Sequence, residues 1–165
     1  MAIAYLLTGS NLGNKSENLH KATTQIAAGA GIIRDSSSVY ESPPWGFEHP
    51  ESFYNQVLSV ETGLTHKELM HTLLSIEKLM GRTRPKDGYQ ARLIDLDILF
   101  YDQLIFSDNE LEIPHPRLHL RRFTLVPLNE IAPEFLHPVL QTRVKELLRL
   151  CKDEGKVTKV SGRTE

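Results

Sequence analysis

An α+β fold of the ferredoxin-like kind, βαββαβ with an antiparallel sheet and an additional C-terminal helix, is what the sequence predicts. Two observations carry this. A strand–helix–strand pattern runs from Ala2 to about Ser42, and a second from Phe53 to Tyr101. The chain has 165 residues with 40% hydrophobic and 24% charged side chains, the size and composition of one globular domain with a core of its own.

Each element has its own signal. Ala2–Thr8 is a short apolar run that ends in Gly9-Ser10-Asn11-Leu12-Gly13-Asn14, which reads as a buried strand and a tight turn. A helix follows from about Ser16, the expected N-cap, with Leu19, Ala22, Thr23, Ile26 and Ala30 near helical spacing. Gly29-Ala30-Gly31 stops it, and Ile32-Ile33 opens a second strand running toward Val39, Tyr40 and Ser42. Pro43-Pro44-Trp45-Gly46 breaks that strand. Phe53–Glu61 alternates as a third strand and ends at Gly63. Thr65 with Glu68 forms a capping box for a second helix, whose apolar stripe is Leu69, Leu73, Ile76, Leu79 and Met80 and whose stop is Gly81. Ile94–Tyr101 is the fourth strand. Beyond it, Arg122–Ile131 has partly helical character, Thr142–Cys151 is an amphipathic helix, and Val157–Val160 is a short strand in a polar tail.

Composition excludes several functions. A formal charge of -2 argues against a nucleic-acid coat protein or a polybasic membrane binder. A lone cysteine, Cys151, excludes a disulfide framework and a cysteine-based zinc cluster, and its place on the stripe of the last helix suits packing better than nucleophilic attack. The opening apolar run is too short for a signal peptide or a membrane span. The expectation is a monomeric cytoplasmic protein without nucleic-acid or membrane partners.

The strongest chemical signal is Leu93-Ile94-Asp95-Leu96-Asp97-Ile98-Leu99-Phe100. Strand alternation places Ile94, Leu96, Ile98 and Phe100 on one face, and Asp95 and Asp97 on the other. Carboxylates two residues apart on a strand lie about 6.5–7 Å from one another, close enough to converge on hard cations with oxygen ligands. Such a pair also occurs on ordinary solvated sheet faces. Here, however, it is bracketed by Arg82, Arg84, Lys86 and Arg92 before it and by His115, Arg117, His119, Arg121 and Arg122 after it. Carboxylates for a metal, with arginines for phosphate oxygens, are what a magnesium–polyphosphate ligand demands. No phosphate-binding glycine motif is present, and Gly9–Gly13 reads as a simple strand–helix turn, so an ATP site would not be of the P-loop type. Phe53 and Asn55 share a strand face near Trp45 and Phe47, a combination that could hold a flat heterocycle with an amide edge. The same two residues also suit an ordinary core phenylalanine beside a strand-face amide.

Several segments in order resemble the 6-hydroxymethyl-7,8-dihydropterin pyrophosphokinase family of folate biosynthesis. They are Gly9-Ser10-Asn11-Leu12-Gly13, Pro43-Pro44-Trp45-Gly46, Phe53-Tyr54-Asn55, Gly81-Arg82-Thr83-Arg84, Arg92 to Ile98, Ile113-Pro114-His115-Pro116-Arg117 and Arg121-Arg122-Phe123. The resemblance runs from Ala2 to about Pro133. It implies one catalytic domain over 1–165, with a core of about 1–133 and a C-terminal extension of about 134–165. It implies transfer of the β,γ-pyrophosphoryl group of ATP to the hydroxymethyl oxygen of the dihydropterin, releasing AMP, with two magnesium ions held by Asp95 and Asp97. Arg82 and Arg92 would grip the phosphates, and Glu77, Arg84, Ile98, His115 and Arg121 would contact ATP. Phe53 and Phe123 would stack on the pterin, whose polar edge Asn55 and the backbone of Ser42, Pro43, Pro44 and Trp45 would read. The loops Pro43–Ser52 and Arg82–Arg92 resemble the family's lids. Tyr89 and Pro116 depart from the family's commoner tryptophan and tyrosine. The rival classes are an RNA-binding sheet, with Phe53 and Phe123 stacking bases, and a metal-dependent nuclease or glycosyltransferase.

Overall fold

The computed structural model describes residues 1–43, 51–81 and 93–160. Over the first two-thirds of the chain the elements are β1 (Ala2–Ser10), α1 (Lys15–Gly29), β2 (Ile32–Ser36), β3 (Tyr40–Ser42), β4 (Phe53–Thr62), α2 (His66–Leu79) and β5 (Asp95–Tyr101). After these come the hairpin β6 (Phe106–Ser107) and β7 (Glu112–Ile113), a 3-10 turn at Leu118–Leu120, α3 (Arg122–Ile131), α4 (Val144–Leu150) and β8 (Thr158–Lys159).

The main sheet runs β5-β1-β4-β3-β8, with β2 also on β4, and its pairings are antiparallel. The predicted second strand is two strands. Ser37 interrupts it, because its hydroxyl accepts the Val57 N–H at 2.9 Å in place of a ladder carbonyl. The helix α1 is capped by Asn14, whose side chain accepts from the Glu17 N–H at 3.1 Å; Ser16 lies inside the helix. The Thr65–Glu68 capping box on α2 is present in both directions. Gly81 closes α2 at a φ of 93°, a backbone state that side chains with a Cβ rarely adopt.

Two cores flank the sheet. Leu19, Ala22 and Ile26 of α1 and Leu69, Leu73 and Ile76 of α2 pack on Ala4, Leu6, Leu58, Val60, Leu96 and Ile98. On the opposite face Leu7, Val57, Leu99 and Phe100 meet Leu118, Leu125, Leu128, Val144 and Leu147. Fully burying a Leu- or Phe-sized side chain contributes about 1.5–3 kcal/mol, so both faces matter to stability. The sequence placed Phe100 with Ile94, Leu96 and Ile98; the structure places it in the other core. A bulge is the reason: Leu6 pairs with Ile98 and Tyr5 with Phe100, so Leu99 is an extra residue that flips the alternation. Cys151 packs against this second core, as expected of a packing residue. Among the described residues no helix is long and apolar enough to cross a membrane.

Candidate active site

Among the described residues β5 lies at the edge of the sheet, with no strand beside its outward backbone groups. Glu77 of α2 fills that role at one point. Its carboxylate is buried and accepts the Leu96 N–H at 2.7 Å. This bond draws α2 against β5 between the two aspartates. Asp95 and Asp97 are half-buried on either side of Leu96.

A cleft of about 620 Å³ wraps this edge. Glu77, Asp95, Asp97, Ile98, His115 and Arg121, all anticipated from the sequence, line it together. Met70, Leu74, Asn109 and Leu111 line it too and were not anticipated. A signal for the first two existed: Met70, Leu74 and Glu77 stand at i, i+4 and i+7, one face of a helix. The Asn109–Leu111 wall is the turn of the β6–β7 hairpin. Asp108 braces it by accepting the Glu110 and Leu111 N–H groups, each at 2.8 Å, and Lys67 of α2 binds Asp108 and Glu110 at 2.6 and 2.7 Å.

His115 is neutral at physiological pH. Burial, then the nearby charges of Arg121 and Arg117, push its pKa down from 6.5 to about 4, against the pull of Asp95. Its Nδ1 accepts the Arg117 N–H at 3.1 Å, which leaves Nε2 as the N–H donor. A neutral donor of this kind binds an anion's oxygen without adding charge.

A different surface lies two strands away. Gly9 of β1 is flanked in register by Asp95 and Asn55. Neighbouring strands are about 4.8 Å apart, so the amide and the first aspartate sit roughly 10 Å apart across the sheet. The sequence took Gly9 for a turn residue; it is a strand residue. A Cβ there would meet Asn55 Nδ2 at 2.6 Å, so any other residue would displace the amide. The Asn55 amide therefore lies across Gly9 and donates to the Thr8 carbonyl at 3.2 Å. Asn55 Oδ1 is buried and has no hydrogen-bond partner, and neither does the buried Ser42 Oγ. Ser42 pairs with Phe53, two residues before Asn55, so Ser42, Phe53 and Asn55 face the same side. Two orphaned buried oxygens on one patch are the sort of polar groups a ligand satisfies.

Phe123 stands in the first turn of α3 with the Arg121 guanidinium over its ring at 5.5 Å. Pro43 is exposed at the end of β3. Pro44, Trp45, Arg82, Arg84 and Arg92 lie outside the described residues, as do most of the two loops likened to lids.

A carboxylate pair, an arginine and a histidine on one cleft are the groups a metal–polyphosphate ligand calls for, which is the chemistry of the phosphoryl-transfer enzymes. Residues 5–133 match the family described as 7,8-dihydro-6-hydroxymethylpterin-pyrophosphokinase, and the chain belongs to that family. It is 39% identical to the 2-amino-4-hydroxy-6-hydroxymethyldihydropteridine pyrophosphokinase of Porphyromonas gingivalis, over 86% of this chain and 98% of the relative. It is 38% identical to the Aquifex aeolicus protein of the same name, over 88% of this chain and 90% of that one. Among solved structures, Plasmodium falciparum HPPK-DHPS with pteroate shares the fold at a TM-score of 0.75 and 17% identity, covering 90% of this chain and 44% of that chain.

Proposed function

We propose that this chain transfers the β,γ-pyrophosphoryl group of ATP to the hydroxymethyl oxygen of 6-hydroxymethyl-7,8-dihydropterin in folate biosynthesis. The hydroxymethyl oxygen bonds to the β-phosphorus, the bond between the β-phosphorus and the α,β-bridging oxygen breaks, AMP leaves with that oxygen, and the hydroxyl gives up its proton as the pterin diphosphate forms. The observation that carries this reading is the convergence of Glu77, Asp95, Asp97, Ile98, His115 and Arg121 on one cleft.

Asp95 and Asp97 would hold magnesium. The donor set fits: magnesium is commonly held by one or two carboxylates and completes its shell with substrate phosphates and water. Among the described residues no group of three or more histidine, cysteine or acidic side chains offers a fuller cage. The family resemblance suggests two ions. When bound, they neutralise phosphate charge and orient the reacting oxygens.

The chain's own residues do the remaining work. His115 offers Nε2–H, and Arg121 its guanidinium, to ATP oxygens. Glu77, already holding the Leu96 N–H, fixes the cleft wall near the nucleoside, with Ile98 beside it. Arg82, Arg84 and Arg92 supply further charge to the phosphates, with Arg82 and Arg92 acting chiefly during transfer. Phe53 and Phe123 stack on the pterin. Asn55 Oδ1 and Ser42 Oγ gain partners from its polar edge, together with the backbone from Ser42 through Pro43 and Pro44 to Trp45. The proposal includes a single catalytic domain over 1–165, a monomer, and a cytoplasmic location. It is tested by measuring AMP released from ATP by mass spectrometry, with and without the hydroxymethyl-dihydropterin. Pterin-dependent AMP supports it, and AMP formed equally without the pterin overturns it.

A further inference from the structure

α3 begins without a cap of its own. Arg121 occupies its N-cap position and offers no side-chain hydrogen bond to the helix. The first backbone N–H groups of any helix lack internal partners, and an uncapped end frays. Here the missing acceptor comes from beyond the segment that matches the family, which ends at residue 133. Asp153 Oδ2 accepts the Arg122 N–H at 3.0 Å, while its Oδ1 accepts the Gly155 N–H at 2.9 Å and fixes the tail's own turn. A carboxylate at this position also complements the positive end of the helix dipole.

Five residues later the same tail becomes β8. Lys159 and Thr158 pair with Tyr40 and Glu41, and the Val160 N–H donates to the Val39 carbonyl at 2.9 Å. The tail thus joins the start of α3, which bears Phe123, to β3, which bears Ser42. The far end of α3 is tied to the same strand directly. The Glu130 carboxylate accepts from the Ser38 N–H at 3.1 Å, the Ser38 hydroxyl at 3.0 Å and the Tyr40 hydroxyl at 2.7 Å.

We propose that Asp153–Val160 is a strap that sets the width of the pterin slot, with Asp153 a positioning residue acting through Arg122 on Phe123. This rests on the reading of Phe123 and Ser42 as walls of that slot. Without the strap, α3 keeps its Glu130 anchor but its first turn is free to fray, and the ring at position 123 loses its fixed distance from β3.

The test uses the full chain with Asp153→Ala, Asp153→Asn and Val160→Pro. Losing a helix cap is expected to raise the pterin KM about fivefold in Asp153→Ala, with kcat within about twofold of the parent. Asp153→Asn, which keeps an oxygen acceptor, restores a KM near that of the parent. Val160→Pro, which removes the N–H bound to Val39, raises the pterin KM and serves if Asp153→Ala does not fold. Hydrogen exchange at the amides of residues 122–124 speeds up in Asp153→Ala and not in Asp153→Asn. A pterin KM unchanged in both Asp153→Ala and Val160→Pro overturns the proposal, as does an asparagine variant as impaired as the alanine one. If the parent protein makes no pterin-dependent AMP, the assignment of the slot falls; the exchange measurement then still decides whether Asp153 holds α3.

Discussion

The cleft beside β5 and the polar patch across Gly9 are both built on one sheet, yet they treat their hydrogen-bond acceptors in opposite ways. In the cleft, the buried Glu77 carboxylate accepts the Leu96 N–H, and His115 Nδ1 accepts the Arg117 N–H. On the patch, Asn55 Oδ1 and Ser42 Oγ are buried against nothing that can bond to them. An unsatisfied buried polar atom costs about 1–3 kcal/mol, so the two regions store their free energy differently. The cleft holds its shape before any ligand arrives. The patch carries a debt that a ligand with a matching polar edge relieves, which turns a cost in stability into a gain in binding.

The largest expected effect tests the charged end of this contrast. Asp97→Ala should lower turnover about a hundredfold or more, as loss of a metal-holding carboxylate does in phosphoryl transfer. Its melting temperature should hold or rise slightly, because one of two like charges on a strand face is gone. Turnover within about tenfold of the parent, by AMP release, would remove Asp97 from the metal assignment.

Glu77→Ala should cost stability directly. The Leu96 N–H is left buried and unpaired, at about 1–3 kcal/mol in a denaturant melt, and ATP affinity should fall with it. Glu77→Gln keeps an acceptor oxygen and should recover most of the stability. Asn55→Ala should do the reverse. Pterin affinity by isothermal titration should drop by about 1–3 kcal/mol while ATP affinity and the melt barely move, because only the bond to the Thr8 carbonyl is lost. Phe53→Ala should weaken the pterin by about as much, through lost stacking. Equal losses for both ligands with a large fall in stability would make Phe53 a core residue and collapse the contrast.

The smallest effect is a pH dependence. Burial holds both His115 and His137 down at about 4, below the ordinary 6.5, with Arg121 the next cause for His115 and His119 for His137. Groups that bind protons less readily when folded lend stability that is whole above the unfolded value and is lost as the pH falls through the folded one. Melts should therefore lose on the order of 1 kcal/mol per histidine between about pH 7 and pH 5, after allowance for solvent screening. His115→Gln should flatten about half of that slope; an unchanged slope would mean His115 is charged within the cleft.

The strands and helices that flank the site were legible because each rests on local chemistry: the Thr65–Glu68 box, the apolar stripe of α2, the alternation of β4. Asp95 and Asp97 were legible for the same reason, as alternation needs only neighbours. What escaped depends on partners far along the chain. Ser37 breaks a strand by binding Val57, twenty residues on. Gly9 looked like a turn because its reason for being glycine is the Asn55 amide on another strand. Glu77 entered the sequence reading only through the family resemblance, since nothing near it in the chain hints that it caps the edge of β5. The meeting of Glu130 with Ser38 and Tyr40 spans some ninety residues and has no local signature.

The bulge at Leu99 gives β5 something like a reading frame. Up to Ile98 every second side chain feeds the helix-side core, and Asp95 and Asp97 stay out of it. After Leu99 the phase shifts and Phe100 feeds the other layer, against Tyr5 and Phe135. Deleting Leu99 would remove the bulge and restore plain alternation, with Ile98 still opposite Leu6, Phe100 still opposite Tyr5 and both aspartates on their present face. What would be lost is one of two successive side chains that this strand gives to a single core, since Leu99 and Phe100 both pack there. The bulge thus adds a side chain to one layer of the fold without disturbing the phase that holds the carboxylates.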